Sequence, residues 1–76
     1  MTRDYLLQDL AYVERSLERL DEHIRIQKNL ISQFEAAGRE HLLTEAGALL
    51  ARFQEFQSEN SARRYRLLKE LESLES

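Results

Sequence analysis

The sequence predicts an all-α protein: an antiparallel two-helix hairpin of coiled-coil type that dimerises into a four-helix bundle. Three observations predict it. The 76 residues hold no proline, no cysteine and only two glycines, whereas an all-β fold needs a turn roughly every 8–12 residues. Apolar residues recur at alternating steps of four and three along both halves of the chain. Gly38 stands in the middle, where the two patterns meet.

The first half carries the stricter repeat. Leu6, Leu10, Val13, Leu17, Leu20, Ile24, Gln27, Ile31 and Phe34 step by four and three without a break, and Gln27 alone among them is polar. Steps averaging 3.5 keep one stripe turned towards a partner helix. Glu, Gln and Arg between the stripe positions are good helix formers. Thr2 or Asp4 suits the start of the helix, and Gly38 suits the left-handed residue that ends one. The pattern predicts a helix over about residues 3–37 and a turn over about 38–42.

The second half repeats the stripe through Leu42, Ala46, Leu49, Phe53 and Phe56. It continues in phase through Asn60 and Arg63 to Leu67 and Leu74, with Leu71 one place off. The helix is predicted over about residues 43–74, with Thr44 as a cap and Leu43 before it. An earlier start near Glu40 is the alternative, because Leu42 already fits the pattern. A turn this short makes the helices antiparallel neighbours. Centred on residue 40, it sets position i opposite about position 80 − i.

That register leaves Leu17 and Leu20 facing the stretch from Gln57 to Arg64, where Ala62 is the one apolar residue. Chains below about 70–80 residues rarely draw more than roughly 3–5 kcal/mol from one core. Tyr5, Leu7, Tyr12, Ile26, Leu30, Leu43, Leu50, Tyr65 and Leu68 also lie off the stripe. A second hairpin is the simplest cover. The expected assembly is a homodimer, with Leu17, Leu20, Tyr12 and Ile26 at its interface.

Charge narrows the function classes. Eleven Lys and Arg against fourteen Asp and Glu give a net charge of −3, interleaved along the chain. Such a balance does not suit a general nucleic-acid or anionic-membrane binder. The longest apolar runs, Leu10 to Val13 and Ala48 to Ala51, span four residues each, against the roughly 20 that a membrane helix needs. The start of the chain lacks a signal-peptide apolar region, so the cytoplasm is the default location.

The polar residues offer few sites. His23 and Gln27 share a face at helical spacing, but a metal site wants three or four good donors. His41 sits about 20 Å along the hairpin from His23. A buried polar layer that fixes register is the better account of the pair. No Glu-x-x-His spacing of the di-iron bundles occurs, and no serine or threonine has a base and an orienter beside it. No catalytic residue, metal or cofactor is therefore expected. Asp21 with Arg25 and Glu59 with Arg63 read as surface pairs that support a helix. Arg63, Arg64, Arg66 and Lys69, with Tyr65 among them, form the one basic cluster. It could hold an RNA backbone and stack a base, although Glu70, Glu72 and Glu75 follow at once and offset its field.

His23-Ile24-x-x-Gln27-x-x-Leu30-Ile31-x-x-Phe34-x-x-x-Gly38, then Thr44-x-Ala46-x-x-Leu49-Leu50-x-x-Phe53, then Arg63-x-x-Arg66-Leu67-Leu68 together resemble a group of short uncharacterised helical-hairpin proteins common in rhizobia and related soil bacteria. The resemblance covers about residues 16–71 and implies the hairpin without implying an activity. The group has a shorter turn than Arg39 to Leu43 suggests here. It also often has histidine where Ser16 and Asn60 stand, so any histidine site of the group would be reduced to His23. The Ser-Gln-x-x-x-Asp signature of small hairpin phosphatases is missing, because Ala37 follows Ser32-Gln33 where that Asp would fall. The expected function is a small self-associating interaction or structural module, and the alternative is an RNA-binding regulator acting through the basic cluster.

Overall fold

A computed structural model describes residues 2–75. It contains two helices, α1 (Thr2–Ala36) and α2 (Glu40–Glu75), packed antiparallel against each other. Thirty-five residues at 1.5 Å each make a rod of about 52 Å, and the hairpin measures 56 × 15 × 14 Å. Its radius of gyration is 17.1 Å, against about 11 Å for a compact chain of this length.

The turn explains why α1 stops and α2 starts at once. Gly38 has φ of 68°, a left-handed conformation that is strained for residues with a Cβ. The Arg39 amide then donates to the Phe34 carbonyl at 2.9 Å, and the Gly38 amide to the Glu35 carbonyl at 3.1 Å. This pair of bonds closes the end of a helix and satisfies its last carbonyls. The Leu42 amide already donates to the Arg39 carbonyl at 3.1 Å. The expected start at residue 43 is thus corrected to Glu40, and Thr44 lies inside α2 rather than capping it.

The shorter turn moves the register. His23 lies beside Phe53, Gln27 against Ala46, Glu14 on Arg64 and Arg3 on Glu75. These pairs centre on Gly38, so position i faces about position 76 − i. The shift from the expected 80 − i is about one helical turn. It comes from residues 40–42 joining the helix instead of the turn.

All nine stripe positions of α1 are buried or half-buried, and Val13 is fully enclosed. On α2 the stripe keeps Ala46, Phe53, Asn60 and Leu67, but the intervening inward positions are Leu50, Gln57 and Leu71. Leu49, Phe56 and Leu74, expected in the seam, are 41%, 49% and 50% exposed. Leu71, which the expected phase misplaced, is only 8% exposed. The tightest cluster joins Leu6 and Val13 to Leu67 and Leu71, with Leu10 and Leu17 packed against it. Leu17 therefore finds apolar neighbours within its own chain.

The two glycines make opposite predictions. A Cβ at Gly38 would meet nothing within 4 Å, yet its φ is positive. Gly38→Ala is expected to lower stability by about 1–2 kcal/mol, the strain of a left-handed residue with a Cβ. Gly47 lies inside α2 with open space around it, so Gly47→Ala is expected to raise stability by about 1 kcal/mol. Urea unfolding followed by circular dichroism reads both, and equal effects would contradict the turn geometry.

Candidate interaction surfaces

Among the described residues one polar side chain is buried, inside the seam. Gln27 is 6% exposed, and its Nε2 donates to the Ala46 carbonyl at 2.9 Å. Beside it the His23 ring stacks on Phe53, with centroids 5.4 Å apart and planes at 17°. These contacts join the helices at one level and resist sliding by a turn. Ser16 lies about two turns from His23, and Asn60 donates to the Phe56 carbonyl of its own helix at 2.9 Å. Among the described residues no group of three or more His, Cys, Asp and Glu could hold a metal ion.

The basic cluster is largely engaged within the chain. Arg64 bonds to Glu14 at 3.1 Å, Arg63 reaches Asp9 at 3.8 Å, and Lys69 pairs with Glu72 at 3.7 Å. The Lys69 ammonium also lies 5.5 Å from the centre of the Tyr65 ring. Arg66 lies exposed in a shallow depression with Glu59, Asn60 and Arg63. The charges of Arg63, Arg64 and Lys69 are thus each met by a carboxylate.

Arg63 and Arg64 bridge the two helices, whereas sequence spacing pairs Arg63 with Glu59 on its own helix. Arg25 turns back to Glu22, with Nε donating to Oε2 at 3.2 Å. That hydrogen bond, and the guanidinium charge, hold the Glu22 carboxyl below the usual carboxylate range. The same bond and the Glu22 charge hold Arg25 above its ordinary value. Both side chains are well exposed, so the pair stabilises a helix surface and builds no site.

The remaining surface is apolar in an ordered way. Residues seven apart share a helix face. Leu42, Leu49, Phe56 and Arg63 form one such row on α2, and Asp9, Ser16, His23 and Leu30 form one on α1. The Arg63–Asp9 contact and a shallow depression lined by Leu30, Leu42 and Leu49 place the two rows side by side. Tyr5, Tyr12, Arg19 and Ile26, again seven apart, flank them on α1. Among the described residues the opposite side exposes large apolar side chains near the open end, at Leu7, Tyr65 and Leu68.

Of the residues expected at a dimer interface, Tyr12 and Ile26 lie more than half exposed on this broad face. Leu17 and Leu20 are half-buried in the seam. Of the Leu42, Leu49 and Phe56 row, expected in the seam, Leu42 is half-buried and Leu49 and Phe56 stand at the surface. The misfit of Leu71 was the available signal, because Leu43, Leu50 and Leu71 belong to the competing row that faces inward.

Among the described residues no helix is long and apolar enough to cross a membrane. No known protein family, curated protein or solved structure matches this chain.

Proposed function

We propose that this chain is a self-associating helical hairpin, a protein–protein interaction or structural module whose simplest form is a homodimer closing into a four-helix bundle. One observation carries the reading. The single chain exposes 5943 Å², whereas a compact monomer of 9.0 kDa exposes about 4,850 Å². The excess of roughly 1,100 Å² includes nine large hydrophobic side chains.

A stable pair of proteins covers about 800 Å² on each partner. One broad face of a rod 56 × 15 Å offers about that area. Two hairpins pressed face to face give each a second layer, which is the usual way a helix buries a wide apolar stripe. The engagement of Arg63, Arg64 and Lys69 with carboxylates favours this reading over RNA binding. Sedimentation equilibrium tests it: the expected mass at high protein concentration is twice 9.0 kDa. A monomer mass throughout would overturn it.

A further inference from the structure

We infer that a second copy of this chain docks on the face carrying Leu42, Leu49 and Phe56, with the two turns at the same end and a two-fold axis along the rod. The inference rests on the self-association reading and specifies its geometry.

The face follows from where the apolar surface lies. Leu42, Leu49 and Phe56 run along one side of α2, and Ile26 and Leu30 of α1 continue the same surface. The opposite side is crossed by the Glu14–Arg64 pair in the half nearer the open end, and its three large apolar residues cluster at that end.

The direction follows from how that face changes along its length. The half near the turn carries Ile26, Leu30, Leu42, Leu49 and Phe56 beside Glu45 and Arg52, and the half near the open end carries Asp9, Arg63 and Arg66 beside Tyr5 and Tyr12. A self-complementary interface repeats one patch on both subunits. With the turns together, α1 of one copy lies against α2 of the other at the same height. From the hairpin's own register, Ile26 then meets the region of Leu49. Arg19 comes level with Glu59 of the second copy, and Asp9 with its Arg66. Apolar surface meets apolar surface, and opposite charges meet at two levels.

Reversing one copy keeps Tyr12 level with Ile26 but loses the charge matches. In that arrangement α1 lies against α1 and α2 against α2. Arg19 faces its own counterpart near the middle, Arg52 comes level with Arg63, and Leu30 meets Asp9. Like charges held opposite each other across an interface disfavour it.

The natural chain has no cysteine, so Arg39→Cys at the exposed turn gives a single position for a spin label. Sedimentation of the labelled protein reports whether it is dimeric, and pulsed dipolar spectroscopy reports the distance. The expected result is a dimer with labels roughly 20 Å apart, about two helix diameters. A dimer with labels about 50 Å apart, a full helix length, would overturn the inferred direction and leave self-association standing. A monomer would overturn both. Leu49→Glu combined with Phe56→Glu is expected to weaken dimerisation at least a hundredfold while helix content is kept. Loss of the dimer through Tyr65→Glu with Leu68→Glu instead would move the interface to the other face.

Discussion

Leu67→Ala is expected to lower the stability of the hairpin by about 2–4 kcal/mol, the usual range for truncating a buried leucine. Leu67 is 7% exposed and sits in the cluster with Leu6, Val13 and Leu71. The site lies between two helices with no third layer, so little can move in to fill the gap. A single core in a chain of this size supplies roughly 3–5 kcal/mol, and the substitution therefore removes most of it. Urea unfolding in dilute solution, followed by helical circular dichroism, reads the loss as a midpoint moved towards zero denaturant. Leu49→Ala is the matched control. The simple repeat placed both leucines in one seam, but Leu49 stands at the surface, and its truncation is expected to change the dilute-solution midpoint by less than about 1 kcal/mol. Similar losses at both positions would mean that the inward face of α2 is assigned wrongly.

Gln27→Glu is expected to destabilise the hairpin by about 2–3 kcal/mol near neutral pH, because an ionised group is left buried without a donor partner. The change keeps the shape of the side chain but replaces the amide that donates to the Ala46 carbonyl with an oxygen. Burial and the facing carbonyl both disfavour the charged form, so the folded-state pKa of the introduced carboxyl lies above its unfolded value near 4.3. The folded state then binds the proton more tightly than the unfolded state. The penalty is complete above the folded pKa and is relieved as pH falls towards the unfolded value, where the neutral acid can donate as the amide did. Thermal midpoints of variant and natural chain, compared from about pH 8 down to about pH 4, are expected to converge on acidification. A pH-independent gap would show that the hydrogen bond is not what Gln27 supplies. Gln27→Leu, which keeps the volume and drops the polarity, is expected to be neutral or mildly stabilising while loosening the register.

The hairpin itself was legible because its signals agree. The unbroken α1 stripe, the helix-forming residues between its members and Gly38 at mid-chain all point to two helices and one turn. The inward face of α2 was not legible. In a seven-residue repeat one row can pair with another either three or four places on, and α2 offers leucine to both choices at 42 and 43, and at 49 and 50. Packing against α1 decides between them, and that depends on register. Register in turn hangs on where α2 begins, and Arg39 gives no capping signal there, whereas Thr44 gives a false one. The cross-helix pairs of Arg63 and Arg64 were hidden for the same reason, since the spacing along one helix says nothing about the height of the other. The row of half-buried Leu42 and exposed Leu49 and Phe56 therefore fits the seam by sequence and lies at the surface.

The best-packed cluster, around Leu6, Val13, Leu67 and Leu71, lies at the pole remote from the turn. Pulled by its two termini, the molecule meets its strongest resistance first and yields abruptly, unlike a zipper that opens tooth by tooth. Tension applied at that pole would be held to a threshold and then released in one step.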